Sequence, residues 1–104
     1  MGLRAPSIDN HTLSRAGMVP ATAAVTPTSS QVLGANAARR GLIISNAGNE
    51  DVCLACTTGP ADYGSGIYIA AGERYTFESV MVPRGAIFAL TDKKNSTLAI
   101  QEFE

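Results

Sequence analysis

The residues best suited to chemistry are two cysteines, Cys53 and Cys56, which form a C-x-x-C sequence. Such a pair can be redox-active or can hold zinc, whose structural sites take four ligands. His11 is the one histidine of the chain, so a four-ligand zinc site would also need a carboxylate. A thioredoxin-type pair lies at a helix N-terminus, whereas this pair falls within a predicted strand, where residues three apart point to opposite faces. The pattern therefore favours buried structural thiols.

A second candidate is a glycine-rich loop that contains Gly59, Gly64 and Gly66. It lacks the Lys-Ser/Thr ending and the following helix of a phosphate-binding loop. We expect these glycines to serve a loop that crosses between sheets. A ligand-binding loop that displays Asp62 and Tyr63 is the alternative, and the sequence leaves it open.

The sequence offers no catalytic constellation. No Ser or Cys paired with an acid can be placed near His11, so a nucleophilic triad is unsupported. The carboxylates of Glu50, Asp51 and Asp62 fall in separate loops, where such groups are more often solvated than catalytic. We therefore predict a protein without catalytic residues, cofactor or metal.

The elements that would position these residues fall into two parts that meet near residue 30. Residues 1–29 carry few large apolar side chains and include three prolines, which favour extended backbone. We predict an extended N-terminal arm here. It is either a flexible tail or an arm that becomes ordered on a neighbouring subunit and forms backbone hydrogen bonds there.

Residues 30–104 alternate short apolar runs with turn residues, which is typical of strands. Strands are predicted at 31–33, 41–45, 51–56, 67–70, 74–78, 80–82, 86–91 and 97–103. This pattern predicts an all-β fold, a small antiparallel β-sandwich or a jelly-roll-like barrel. The predicted core consists of the apolar residues on one face of each strand: Leu42, Ile44, Val52, Leu54, Ile67, Ile69, Phe77, Phe88, Leu90, Leu98 and Ile100.

Size and charge limit the function further. About 70 residues make a marginal core, and oligomerisation is a usual support for a domain of that size. The formal net charge is -1, and charged residues are only 16% of the chain. A nucleic-acid binder would carry a basic footprint, so no nucleic-acid partner is predicted. Neither a membrane-spanning run nor an apolar signal region is recognisable, which predicts synthesis in the cytoplasm of the producing cell and no membrane partner.

The order of motifs in the domain resembles that of a known class of proteins. An Arg-rich lead-in at 36–40 precedes Leu-Ile-Ile-Ser-Asn, a strand, the glycine-rich loop, Ala-Ala-Gly-Glu at 70–73 and an aromatic strand. A Pro-x-Gly turn at 83–85 and a closing strand that ends in acids complete it. This order resembles small β-sandwich structural proteins of tailed bacteriophages, including head decoration (cement) proteins and domains of fibres. The resemblance covers about residues 31–104 and implies a virion component, commonly trimeric and without catalysis.

On this basis we expect a capsid decoration protein on the virion surface. A homotrimer would bind the outer shell of the major capsid protein and stabilise the head through its arms. The expected arm anchors are Arg4, Arg15, Met18 and Val19, and the expected contacts between protomers involve Arg39 and Arg40.

Two other hypotheses for the function stay open. The first is a tail, neck or head-fibre adaptor with the same fold and a docking arm. The second is a carbohydrate- or ligand-binding module. Such modules usually stack sugars on exposed aromatic rings; this chain has no Trp, and Tyr63 and Tyr68 are the plausible candidates.

Overall fold

The computed structural model describes residues 18–56, 61, 64, 66–78 and 80–104. Within these residues the backbone forms eight strands and no helix. In chain order the strands are β1 (Ala21–Val25), β2 (Ser30–Leu33), β3 (Gly41–Asn46), β4 (Val52–Ala55), β5 (Ile67–Ile69), β6 (Arg74–Phe77), β7 (Ile87–Thr91) and β8 (Ser96–Phe103).

The strands form two four-stranded sheets in which every described pairing is antiparallel. The first sheet has the order β1-β8-β3-β6, and the second has the order β2-β7-β4-β5. The eight-residue strand β8 lies in the interior of the first sheet, where Ile100 pairs with both Ala21 and Ile44. The all-β prediction is confirmed, and two facing sheets make the fold a sandwich rather than a closed barrel.

The core lies between the two sheets and is built from alternate residues of each strand. Eight of the predicted core residues are buried, as period-two alternation requires, and Ile67 is half-buried against them. The eight are Leu42, Ile44, Val52, Leu54, Ile69, Phe77, Leu98 and Ile100.

In strand β7, the side chains that face the core are not the ones predicted. Ile87 and Ala89 are buried in the core, whereas Phe88 and Leu90 lie on the outer face and are half-buried. The prediction of Phe88 and Leu90 as core residues is therefore wrong. Residues 86–90 are all apolar, so the alternation that normally fixes the inward face is absent, and the choice falls to packing against the opposite sheet.

Strand β1 lies within the predicted arm, so the described end of the arm is part of the sandwich. Residues 21–25 pair with β8, and Val25 is fully buried. The assignment of these residues to a separate arm is wrong. Their small Ala and Thr side chains give no strong strand signal, but they suit an edge strand, which buries little.

Residues 80–82, predicted to pair briefly, follow a turn instead. The Met81 amide donates to the Glu78 carbonyl oxygen at 2.7 Å, and only Val82 of these three residues is buried. The connection from β6 to β7 therefore leaves Val80 and Met81 in solvent, with exposed fractions of 92% and 74%.

One end of the sandwich is held by a buried amide, that of Asn46 at the end of β3. Its Nδ2 donates to the carbonyl oxygens of Glu50 (2.7 Å) and Ile69 (3.0 Å). Its Oδ1 accepts from the Gly48 amide (3.2 Å) and from the Ser96 hydroxyl (2.7 Å). A Cβ on Gly48 would lie 2.1 Å from Ser96 Oγ and 2.7 Å from the Thr97 nitrogen, so glycine is required here by close approach.

Candidate binding surfaces

The opposite end of the sandwich is held by Arg39, which lies just before β3 and is fully buried. Its Nε forms an ion pair with Glu102 at 2.7 Å. Nη1 donates to the carbonyl oxygens of Pro83 (2.6 Å) and Gly85 (3.1 Å), and Nη2 donates to that of Gly34 (2.6 Å). This guanidinium thus joins the β2–β3 and β6–β7 connections to strand β8.

The prediction that Arg39 contacts a neighbouring protomer is therefore wrong. Its donors are directed to its own chain, and a fully buried side chain presents no surface to a partner. Arginine is rarely buried unless it is paired, and here Glu102 supplies the pairing charge. The side chain of Arg40 is exposed, and only its backbone amide is engaged, with the Phe103 carbonyl oxygen at 2.8 Å. The predicted role of Arg40 between protomers stays a prediction.

Neighbouring polar groups extend this ionic cluster. Asn36 Nδ2 donates to the carboxylates of Glu104 (2.9 Å) and Glu102 (3.4 Å). Arg84 Nε donates to the Arg39 carbonyl oxygen at 3.0 Å. The Arg-rich lead-in and the acidic chain end, both noted in the sequence, thus contact each other within the fold.

The predicted arm anchors divide between described and undescribed residues. Arg4 and Arg15 lie outside the described residues. Met18 continues β1 along β8: its amide donates to the Glu102 carbonyl oxygen at 3.1 Å, and Gln101 Nε2 donates to its carbonyl oxygen. The Val19 side chain is 89% exposed and that of Met18 is 39% exposed. The structure therefore presents these two apolar side chains at the edge of the first sheet.

A cleft opens on the opposite side of the molecule, between the edge strands β5 and β6. Its volume is about 430 Å³. Tyr75 and Phe77 lie side by side in it with ring centroids 4.7 Å apart. The lining is mostly apolar and consists of Cys56, Ile67, Tyr75, Thr76, Phe77, Glu78, Met81 and Pro83.

The sequence analysis did not identify this cleft. Of the apolar run Val80 to Val82, which was predicted as a short strand, Met81 lines the cleft. The cleft is an apolar hollow with one carboxylate, that of Glu78, and a hollow of this kind can receive an apolar group of a ligand or of a partner protein.

The two cysteines have different surroundings. Both thiols are free; Cys53 is buried on β4, where its Sγ accepts a hydrogen bond from the Gly64 amide at 3.4 Å. This confirms the prediction of a buried thiol for Cys53. Cys56 is half-buried in the cleft, where burial raises the pKa of its thiol and the charge of Arg39 opposes that rise.

The glycine-rich loop is described in part. Gly66 adopts a φ of 94°, and a Cβ there would lie 2.2 Å from the Leu54 carbonyl oxygen. Glycine is thus required by backbone packing at this position. Gly59, Asp62 and Tyr63 lie outside the described residues, so the ligand-loop reading stays a prediction. Among the described residues, no group of three or more His, Cys, Asp or Glu side chains is placed to hold a metal ion.

Tyr68, a candidate sugar-stacking residue, lies on β5 rather than in a loop. Its hydroxyl donates to the carboxylate of Asp51, which also accepts from the Ala71 amide at 2.9 Å. The Tyr68 hydrogen bond, followed by the Ala71 one, lowers the pKa of Asp51. Together the two hydrogen bonds fasten β5 and the β5–β6 turn to the residue before β4.

The chain matches no model of a known protein family, no curated protein and no solved structure. In the part of the chain that the structure describes, no helix is long and apolar enough to cross a membrane.

Proposed function

We propose that this chain is a structural protein of a tailed-phage virion, a decoration protein that binds the outer capsid shell as an oligomer and does not act as an enzyme. The observation that carries the proposal is the position of residues 18–25 at an edge of the sandwich. Strand β1 lies at an edge of the first sheet, and its lead-in exposes Met18 and Val19.

The attachment element in this proposal is the segment before β1. Fully extended, residues 1–17 would reach roughly 55 Å at about 3.3 Å per residue, enough to cross from one capsid subunit to the next. Arg4 and Arg15 would contact acidic groups of the major capsid protein. The sandwich would supply a rigid body from which this segment is held.

The mechanical role follows from avidity. When one segment of an oligomer is bound, the others are held near the shell at high effective concentration. A homotrimer would thus tie several capsid subunits together and resist the outward pressure of packaged DNA, even if each contact alone were weak. The sites are protein surfaces, so the proposal requires neither cofactor nor nucleic acid.

The experiment compares the full chain, a form lacking residues 1–17 and the Arg4→Ala/Arg15→Ala variant on shells of the producing phage stripped of this protein. The expected result is binding by the full chain, loss for the truncated form and weaker binding for the double variant. The truncation stops before β1, so size-exclusion light scattering should show an unchanged oligomer. Attachment of the truncated form would contradict the proposal.

Copy number separates this proposal from the adaptor alternative. Quantitative mass spectrometry of intact virions should find the chain in hundreds of copies if it decorates the shell. A dozen copies or fewer would place it at a unique vertex or on the tail, and binding on a glycan array would instead favour the carbohydrate-binding reading.

A further inference from the structure

The exposed large apolar side chains of the described residues are confined to two opposite sides of the sandwich. Met18 and Val19 lie at the β1 edge of the first sheet. The other four lie on β5, on β6 or in the connection after β6: Tyr68, Tyr75, Val80 and Met81. One side therefore presents a small apolar projection, and the other side presents an apolar cleft.

These two surfaces cannot meet within one chain. Strands β8 and β3 separate β1 from β6, so the two edges are about 14 Å apart at about 4.8 Å per strand spacing. Backbone hydrogen bonding of Met18 to Glu102 holds the projection at its own edge. An occupant of the cleft that carries this projection must come from another molecule.

We propose that Met18 and Val19 of one copy pack into the cleft between β5 and β6 of a second copy. This inference names the protomer interface of the proposed function and rests on that proposal for the oligomer, but not for the capsid. Within the cleft, the apolar side chains of Ile67, Phe77 and Met81 receive the projection.

The proposed contact is heterologous, because different surfaces of the two copies meet. Such contacts form a ring when the rotation between copies closes and a filament when it does not. A ring of three would use every projection and every cleft, and it would leave each N-terminal segment free to extend away from residue 18. The contact would also cover Val19 and Met81, two of the three most exposed large apolar side chains of the described residues.

The first test places a cysteine at the projection and uses the native thiol in the cleft. In oxidising buffer, Val19→Cys should form an intermolecular disulfide with Cys56 and give covalent dimers and higher species on a non-reducing gel. Because burial raises the pKa of Cys56, the reaction is run at about pH 8.5, where more thiolate is present. The matched control is Ala24→Cys, which is exposed near the far end of β1, the strand that Val19 precedes.

The origin of any cross-link is settled by the Val19→Cys/Cys56→Ser variant. Loss of the product in that variant supports the proposed contact. A dimer that persists without Cys56 would show that two projections meet each other, and a fast-migrating monomer would show an intrachain bond; either result overturns the proposal.

A second test does not depend on thiol reactivity. Val19→Asp and Met81→Asp should each raise the dissociation constant of the oligomer at least about tenfold in light scattering, because each places a charge in an apolar contact. The control is Val80→Asp, which lies beside Met81 but does not line the cleft. An oligomer unchanged by Val19→Asp, or a wild-type chain that is monomeric, overturns the interface, whereas a failure of shell binding alone would overturn the capsid proposal.

Discussion

The sandwich has a charged end, held by the buried side chain of Arg39, and a neutral end, held by the buried side chain of Asn46. Arg39 gathers three carbonyl oxygens and one carboxylate. Asn46 donates to two carbonyl oxygens and accepts from one amide and one hydroxyl. Both side chains therefore satisfy polar groups of loops and strand ends at the two ends of the sandwich.

The difference reflects what each end must satisfy. A guanidinium has five donors in a fixed plane and no acceptor, so it suits an end where loops present carbonyl oxygens from several directions. An amide donates and accepts, so it suits a loop that presents both kinds of group. The buried guanidinium of Arg39 also needs Glu102 as its ion-pair partner, because an unpaired buried charge is costly.

The charged end is also the end that carries both proposed binding surfaces. Glu102 accepts the Met18 amide through its carbonyl oxygen, and Pro83, whose carbonyl oxygen accepts from Arg39, lines the cleft. Arg39 thus connects the segment that positions the projection with the segment that shapes the cleft. The neutral end carries neither surface.

The largest effect is expected from Arg39→Ala. It removes the donor of three carbonyl oxygens and leaves the Glu102 carboxylate with the longer hydrogen bond from Asn36. Breaking a buried pair in this way costs about 3–5 kcal/mol. The free energy of unfolding is measured by urea denaturation at a fixed protomer concentration. Arg40→Ala, at the exposed neighbouring position, should change it by less than about 0.5 kcal/mol.

If Arg39→Ala does not fold, Arg39→Lys gives the comparison. Lysine keeps the charge for Glu102 but has no planar fork to reach several carbonyl oxygens, so a loss of about 1–3 kcal/mol is expected. Equal stability of the lysine variant and wild type would show that the charge alone matters.

A smaller loss is expected from Asn46→Ala at the neutral end, about 2–3 kcal/mol, because several hydrogen bonds are lost but no charge is stranded. The same urea experiment checks it. If Asn46→Ala lowers the free energy of unfolding at least as much as Arg39→Ala does, the ion pair at the charged end contributes no more to stability than neutral hydrogen bonds do. The Met18–cleft interface should be insensitive to Asn46→Ala and weakened by Arg39→Lys.

The sequence alone predicted the burial of apolar side chains better than the burial of the charged Arg39. Alternation was sufficient to place Leu98 and Ile100 inside, because small or polar residues flank each of them in β8. It failed at Phe88 and Leu90, because residues 86–90 are all apolar and the two faces of the strand look alike there. It also failed for β1, whose alanines and threonines lack strand signal although Val25 reaches the core.

The burial of Arg39 had no local signal in the sequence. Two adjacent arginines are typical of a solvated surface, and the ion-pair partner Glu102 is 63 positions away. The carbonyl oxygens that it satisfies belong to loops, whose positions are set only once the two sheets have packed. For the same reason the cleft could not be predicted: β5 and β6 are its walls only because the sheet order makes both of them edge strands.

A third prediction sharpens the description of the neutral end. Among the described residues, Thr91 holds the one buried side-chain oxygen without a hydrogen-bond partner, whereas the Ser96 hydroxyl at the same end is bonded to Asn46. Thr91→Val should therefore raise the free energy of unfolding by about 1 kcal/mol, and Ser96→Ala should lower it by about 1 kcal/mol. Urea denaturation of the two variants should give opposite signs; the same sign for both would mean that the hydroxyls are in equivalent surroundings.

The smallest effect concerns the one described acid at the neutral end whose pKa is shifted. The pKa of Asp51 is lowered in the folded state by its hydrogen bonds from Tyr68 and Ala71. The unfolded state therefore binds more protons, so this contribution to stability is present above the unfolded pKa of about 3.9 and is lost as pH falls through the lowered folded value. Asp51→Asn should thus be less stable than wild type near neutral pH, with the difference shrinking below about pH 4.

The measurement is urea denaturation across that pH range, with Asp92→Asn as the control that removes the same charge from an exposed site at the same end. Tyr68→Phe should remove most of the pH dependence that Asp51→Asn removes, because its hydroxyl is the main cause of the lowered pKa. If Tyr68→Phe leaves the pH dependence intact, the turn is held by Ala71 instead. The Asp51 carboxylate at the neutral end would then be held by a backbone amide. The Glu102 carboxylate at the charged end, by contrast, is held by the side chain of Arg39.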